Sequence, residues 1–152
     1  MPNKRTIQRA RRDAREGKAP GTQAGEFIRD EIRKIRRGEH GARNTKQAIA
    51  IGLSEARRAG VKLRPPRRGT VSEKTRRSAA SAYRKGQRGQ KPSPKRSRAA
   101  LRALKREDRG SVSRRALSRQ ARSAARRRSP QSRSAAARRA AQTRSQRLRS
   151  RS

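Results

Sequence analysis

The larger apolar side chains are concentrated in one short stretch of the chain. Nine of the 18 Val, Ile, Leu, Met, Phe and Tyr residues lie within residues 27–63. In that stretch Ile28, Ile32 and Ile35 recur at i, i+4 and i+7, which is the spacing of one face of an α-helix. Gly38 follows the last of them and is typical of a C-terminal helix stop. The pattern predicts a first helix of about 12 residues.

A second helix is indicated by residues suited to its two ends. Asn44 can cap the helix N-terminus, and Gln47 stands three residues later, as in a capping box. Gly60 followed by Val61 supplies a left-handed stop with an accompanying hydrophobic contact. The second helix is therefore predicted over residues 45–59, and the two helices would form a hairpin.

The second helix is apolar on more than one side. Ile49, Leu53 and Ala56 share one stripe, whereas Ile51 points away from it. Either the helix packs against two neighbours, or two chains form a homodimer through Ile49, Ile51 and Leu53. A hairpin with so few large apolar side chains is marginal alone. We therefore expect it to be stabilised by dimerisation, by the N-terminal segment around Ile7, or by nucleic acid.

The rest of the chain differs in composition from this hairpin. KLRPPRRG reads as a linker because consecutive prolines cannot continue a helix. Beyond it, several serines are plausible N-caps, each followed by a stretch rich in Ala and Arg; they are Ser72, Ser93, Ser113 and Ser129. The predicted organisation is a basic, partly helical arm at 1–24, a hairpin core at 25–63, a linker at 64–71 and a basic tail at 72–152.

Composition argues against a full-length core. Leu, Ile, Val and Phe total 16 of 152 residues, well below the roughly one-fifth under which highly charged chains stay disordered. The predicted fold class is all-α with extensive disorder, in which the tail becomes helical on binding.

The chain has no cysteine, which excludes disulfides and thiolate zinc sites. It also has no apolar stretch long enough for a signal peptide or a membrane span, so we expect a cytoplasmic protein.

The net charge points to an anionic polymer as partner. The chain carries 48 Lys or Arg and 10 Asp or Glu, for a formal charge of +38. Duplex DNA carries one phosphate per ~1.7 Å of axis, so this charge would neutralise about 19 base pairs. Arginine, which pairs bidentately with phosphate, outnumbers lysine by 38 to 10. With one Tyr, one Phe and no Trp, base stacking cannot carry the affinity.

The candidate nucleic-acid contacts are cations expected on exposed helix faces. On the tail, Arg115, Arg119, Arg122 and Arg126 share one predicted face, with Leu117, Ala121 and Ala124 roughly opposite. The full candidate set is Arg29, Arg33, Arg37, Lys46, Arg57, Arg58, Arg115, Arg119, Arg122, Arg126, Arg127 and Arg128.

No catalytic or metal-binding arrangement is evident in the sequence. There is no Gly-rich phosphate loop ending in Lys-Ser/Thr and no serine between glycines as in a nucleophile elbow. His40 stands alone in a Gly-rich turn, where we expect it to be solvated. Glu26, Asp30 and Glu31 are expected near the start of the first helix, where carboxylates favour the helix dipole and Asp30 can pair with Lys34. We therefore expect no enzyme, no cofactor and no metal.

Three other classes of binding remain open. Arg-Ser pairs in the tail resemble Arg/Ser-rich segments of RNA-processing proteins, so an RNA-binding or ribosome-associated protein is the main alternative. A helix-turn-helix that reads bases through Lys46, Gln47, Ser54, Arg57 and Arg58 is disfavoured by a loop longer than the usual turn. A membrane-active polypeptide is disfavoured because the tail helices carry alanine instead of bulky apolar residues.

One segment carries a family resemblance. GEFIRDEIRKIRRGEHGARNTKQAIAIGLSEARRAGVKL, residues 25–63, resembles the core of a family of small, very basic bacterial proteins. Members of that family are labelled DNA-binding or histone-like, and the tail is similar in composition to linker-histone tails. The resemblance implies a nucleoid-associated setting and supplies no site residues. Together with the charge, it predicts a histone-like protein that binds and compacts double-stranded DNA without sequence preference.

Overall fold

The computed structural model of the protein describes residues 2–149. Within these residues the chain forms seven α-helices, a 3-10 turn at Gly110–Val112 and no strand. The helices in chain order are α1 at Lys4–Arg15, α2 at Pro20–Arg36, α3 at Thr45–Arg58, α4 at Glu73–Gln87, α5 at Pro94–Leu104, α6 at Arg114–Arg126 and α7 at Pro130–Arg149.

The chain divides into two compact units. The first unit ends at Ser113 and contains α1 to α5, and the second begins at Arg114 and contains α6 and α7. In the first unit α1 and α3 both pack against α2, α4 packs against α3, and the 3-10 turn contacts both α2 and α3. The compact part of the chain therefore extends about 50 residues beyond the predicted core at 25–63.

The first predicted helix is longer than expected at its N-terminus. It begins at Pro20, which occupies the first turn, where a missing N–H costs nothing. The additional turn buries Ala24, a residue that the count of larger apolar side chains does not include. At the other end Gly38 has the left-handed conformation expected of it, with φ of 79°.

The second predicted helix is confirmed at both ends. The Asn44 side chain accepts a hydrogen bond from the Gln47 N–H at 2.9 Å. Gly60 has φ of 91°, and the Val61 N–H donates to the Ala56 carbonyl at 3.1 Å, which is the bond of a Schellman stop. These contacts are local in sequence, which explains why the pattern located this helix so closely.

Two small apolar clusters hold the first unit together. One joins α1, α2 and α3 around a fully buried Phe27, and its buried members are Ala10, Ala24, Phe27, Ala56 and Val61. Ile7 packs against this cluster, so the N-terminal segment is one of the elements that stabilise the α2–α3 pair, as one of the three expectations proposed. The second cluster contains Ile35, Ala42, Ala48 and Val112.

A distant segment closes the second cluster. The Gly41 N–H donates to the Leu104 carbonyl and the Ala42 N–H to the Asp108 carbonyl, both at 2.9 Å. The Thr45 hydroxyl donates to the Ser111 carbonyl at 2.6 Å. These bonds attach the end of α5 and the 3-10 turn to the loop between α2 and α3. The tail thus contributes to the folded unit, with Val112 fully enclosed.

Close helix contacts depend on two glycines in helix interiors. A Cβ at Gly52 of α3 would lie 2.7 Å from the Ile28 Cα of α2. A Cβ at Gly86 of α4 would overlap the carbonyl oxygen of Arg57. Both positions therefore allow backbones to approach more closely than any residue with a side chain permits, and the helix contacts compensate for the low helix propensity of glycine.

The prediction of extensive disorder is wrong. The described part of the tail forms α4 to α7 in the chain alone. The count of large apolar residues failed because alanine and glycine fill much of this interior, including Ala79, Ala82 and Gly86 of α4. Alanine and arginine also have high helix propensity, and Ser72 and Ser129 cap their helices as expected.

We predict that Gly52→Ala destabilises the first unit by about 1–3 kcal/mol, because the new methyl group forces α2 and α3 apart. The matched control is Gly25→Ala in α2, where a Cβ meets no atom within 4 Å. There the gain in helix propensity should stabilise the protein by up to ~1 kcal/mol. Urea unfolding followed by circular dichroism measures both changes. Equal effects of the two substitutions would contradict the close-packing explanation.

Candidate nucleic-acid interface

Five of the ten acidic side chains lie at contacts between helices or beside the turn between α1 and α2; they are Asp13, Glu26, Asp30, Glu31 and Glu55. Glu26 of α2 accepts hydrogen bonds from Arg9 of α1 and from Arg29 of its own helix, both at 2.6 Å. Asp13 pairs with Lys18 at 2.6 Å, and both side chains are less than a tenth exposed. These pairs join α1 to α2 and fix the turn between them. The carboxylates thus neutralise cations at helix contacts.

A larger charge cluster lies between α2, α3 and the loop that joins them. Lys34 Nζ is 3.3 Å from Asp30 Oδ2, 3.9 Å from Glu31 Oε2 and 3.4 Å from Glu55 Oε2. On the other side of Glu31, His40 Nε2 lies 3.4 Å from Oε1. Glu31 is 1% exposed. One ammonium group therefore links three carboxylates from two helices, and an imidazole from the loop completes the cluster.

Burial and neighbouring opposite charges shift the pKa values of Glu31 and Lys34 in opposite directions. Burial raises the pKa of Glu31, and proximity to His40 and Lys34 offsets that rise only in part. Burial alone would lower the pKa of Lys34, but the carboxylates of Glu55, Asp30 and Glu31 together raise it. Lys34 therefore stays charged, whereas Glu31 is protonated more easily than an ordinary glutamate.

Two expectations for these residues are wrong, and one is confirmed. His40 is buried instead of solvated, because its loop is covered by the segment that ends at Val112. Glu26, Asp30 and Glu31 do not lie in the first turn, since α2 begins at Pro20, so the helix dipole does not explain them. The predicted pair of Asp30 and Lys34 is present.

The predicted cations of the first unit occupy different environments. Arg33, Lys46 and Arg58 are exposed, and no carboxylate of the described residues lies within ion-pair distance of them. Arg29 and Arg37 are exposed but are paired with Glu26 and Glu39. The first group can reach an external anion without breaking an internal ion pair.

Arg57 departs from the expected exposure. It is 7% exposed, and its guanidinium donates to the carbonyls of Leu63 at 3.2 Å and Arg64 at 3.4 Å. Burial lowers its pKa. Its role is to hold the extended chain that leaves α3, so a phosphate cannot reach it in this fold. Helical periodicity could not predict the burial of Arg57, because the segment that covers it lies beyond the end of α3.

The second unit contains the most uniform basic surface. Arg115, Arg119, Arg122 and Arg126 are exposed along α6, and Arg127 and Arg128 follow as exposed residues. Leu117, on the predicted opposite face, is half-buried. The sequence from Arg109 to Ser152 contains no acidic residue. No carboxylate within this unit can therefore compete with an external anion for these arginines.

A cavity in the first unit adds cations that the sequence did not single out together. It is lined by Arg58, Lys85, Lys91 and Arg96, which come from α3, α4, the following loop and α5. Nearly 40 residues separate the first from the last, so no local pattern could group them. The only sequence signal was the Ser93-Pro94 start of α5.

Comparison with known proteins finds one similarity, and it lies in the region of the first three helices. Residues 3–68 match the model of DUF6496, a family of unknown function. The match includes the segment at 25–63 that carried the resemblance, and also α1. No curated protein and no solved structure matches the chain. The matched residues contain all of α1, α2 and α3.

The helices and the acidic side chains of the described residues have two further properties. No helix there is both long enough and apolar enough to cross a membrane. No group of three or more His, Cys, Asp or Glu side chains in the same residues is arranged to hold a metal ion.

We predict that the stability of the first unit falls as the pH rises from about 4.5 towards neutrality, because folded Glu31 has a pKa above its value in the unfolded chain. The folded state then binds more protons in this window, which lowers the free energy of unfolding by about 1.4 kcal/mol per unit of pKa difference. Glu31→Gln should abolish that part of the pH dependence.

Urea unfolding at pH values from 4 to 7 measures this effect in the wild type and the variant. Glu39→Gln is the control, because Glu39 is an exposed carboxylate next to the same loop. A Glu31→Gln protein with the same pH dependence as the wild type would show that Glu31 is not the responsible group.

Proposed function

We propose that the protein binds double-stranded DNA through its phosphates, with little sequence preference, and compacts it as a histone-like component of the cytoplasmic nucleoid. The observation that carries this proposal is the segregation of charge. Four carboxylates of the first unit, Glu26, Asp30, Glu31 and Glu55, pair with cations at helix contacts. Residues 114–152 carry 14 arginines and no acid. The arginines of the second unit thus have no carboxylate in their own unit as counterion.

The spacing along α6 suits a phosphate backbone. Arg115 and Arg126 are 11 residues apart, which corresponds to about 16 Å along a helix. The same length of duplex axis carries roughly 10 phosphates. Like charges four residues apart destabilise an isolated helix, and neighbouring phosphates remove that penalty. Binding would release the counterions that otherwise surround the DNA, and this release supplies the affinity.

Phosphate contact also explains the expected lack of sequence preference. Contacts to phosphates position a protein on DNA without reading its bases. The aromatic side chains that stack on unpaired bases are almost missing from this chain, which has one Tyr and one Phe. Two basic units in one chain could bind two DNA segments, which is the simplest route to compaction.

We predict that replacing Arg115, Arg119, Arg122 and Arg126 together by glutamine flattens the dependence of log affinity on log salt by about 3.6, since each phosphate contact contributes roughly 0.9. The matched control replaces the same four residues by lysine, which keeps the charge and should keep the slope. Fluorescence anisotropy with a labelled duplex at several salt concentrations measures both. An unchanged slope in the glutamine variant would remove α6 from the interface.

Competition distinguishes this proposal from an RNA-binding role. Unlabelled duplex DNA and structured RNA of equal length are titrated against the labelled complex at ~0.15 M salt. We expect DNA to compete at least as well as RNA, and the protein to shorten a single tethered DNA molecule. Stronger competition by RNA, with no shortening of DNA, would favour the ribosome-associated alternative.

A further inference from the structure

A basic cavity lies within the first unit. Its volume is about 230 Å³, and it lies where the last residue of α3, the end of α4 and the start of α5 meet. Four cationic side chains line it: Arg58, Lys85, Lys91 and Arg96. The hydroxyl residues Ser93 and Ser97 complete the polar wall. The cavity therefore concentrates positive charge from three helices and a loop in one place.

These four cations lack carboxylate partners. Ion pairs of the first unit involve other cations, such as Arg9, Lys18 and Lys34, and none of the described carboxylates lies within 4.0 Å of the four. Like charges that line a small cavity repel each other. All four residues are exposed, so water already weakens this repulsion, and an anion in the cavity would weaken it further and add favourable contacts.

The start of α5 adds donors to the same wall. Ser93 precedes the helix, and its side chain makes no capping hydrogen bond, whereas Asn44 and Ser72 cap α3 and α4. Pro94 has no N–H, and the Ser97 N–H donates to the Ser93 carbonyl at 3.0 Å. The first N–H groups of α5 are therefore left without a side-chain acceptor. Such groups carry partial positive charge and bind phosphate readily.

The size of the cavity limits its ligand. Pockets for drug-sized molecules occupy about 300–1,000 Å³, and this cavity is smaller. No aromatic side chain lines it, so it offers no surface for stacking a base. Arginine and lysine together supply both bidentate and point-charge contacts to phosphate oxygens. The chemistry of the wall thus favours one compact oxyanion over a nucleoside.

We propose that this cavity binds a single phosphate group and that, in the DNA complex, the group is one backbone phosphodiester. The second half of this inference rests on the proposed function, and the first half does not. A phosphate held by α3, α4 and α5 would fix the orientation of the first unit on the duplex. The unit would then dock in a defined way, in contrast to the distributed contacts of the α6 arginines.

The first experiment tests the cavity without DNA. Inorganic phosphate is titrated into the ¹⁵N-labelled full chain at constant ionic strength, with chloride as the exchanged ion. We expect saturable shifts of the Lys95, Arg96 and Ser97 amide signals. The variant R58Q/K85Q/K91Q/R96Q should lose these shifts. Shifts that do not saturate, or that persist in this variant, would overturn the proposal.

A matched variant controls for the loss of four charges. K4Q/R11Q/R15Q/K105Q removes two lysines and two arginines that are exposed in the same unit and do not line the cavity. It should retain the saturable phosphate shifts. Equal loss in both variants would show that net charge, and not the cavity, attracts the ion. Helical circular dichroism of each variant confirms that the fold is intact.

The second experiment separates a DNA phosphate from free phosphate. A short duplex is added to the phosphate-saturated protein, and we expect the Arg96 and Ser97 signals to move to new saturating positions as DNA displaces the ion. The cavity variant should flatten the salt dependence of duplex binding by about 0.9, the value of one phosphate. DNA binding with neither change would overturn the phosphodiester assignment and leave free phosphate as the ligand. No DNA binding at all, with intact phosphate shifts, would instead refute the proposed function.

Discussion

The first unit depends on the neutralisation of a few carboxylates buried along α2. Glu26, Asp30 and Glu31 face α1, α3 and the loop at residues 37–44, and each lies close to a cation or to His40. A buried charge without such a partner is costly, so these contacts determine where the neighbouring helices can lie. In a chain with 48 basic and 10 acidic residues, using the acids at helix contacts also leaves the surface strongly cationic.

Small residues provide the second requirement for this packing. With few large apolar side chains available, the interior is made of alanines around Phe27 and Ile35. Gly52 and Gly86 bring α2, α3 and α4 close together, which increases van der Waals contact between backbones. Helices of this composition can bury their contacts without a conventional hydrophobic core. This is why a low content of Leu, Ile, Val and Phe did not lead to disorder.

The small number of acidic residues also underlies the proposed function, because it leaves many cations without a carboxylate partner. Cations that are paired inside the first unit stabilise the fold, and cations outside these pairs are available for phosphate. The α6 arginines offer a regular row of contacts, whereas the cavity lined by residues of α3, α4 and α5 offers a single site. The two kinds of site would divide the work of DNA binding: the row would supply affinity, and the cavity would supply orientation.

The sequence by itself determined the features that depend on neighbouring residues. The ends of α3 at Asn44 and Gly60, the stop at Gly38, the caps at Ser72 and Ser129 and the pair of Asp30 with Lys34 all follow from spacings of a few residues. Net charge and the arginine row of α6 were equally visible, because both are properties of the chain.

Only the tertiary structure decided which charged residues are enclosed. His40 and Arg57 looked exposed in sequence, but segments that follow them in the chain cover them. Val112 closes a cluster with α2 and α3 from about 70 residues away, and four distant cations line one cavity. Contacts between distant segments depend on complementary shapes and charges across the whole unit. The spacing of residues along one helix carries no information about such contacts. This is the physical reason why the hydrophobic pattern predicted helices but did not predict which segments pack against them.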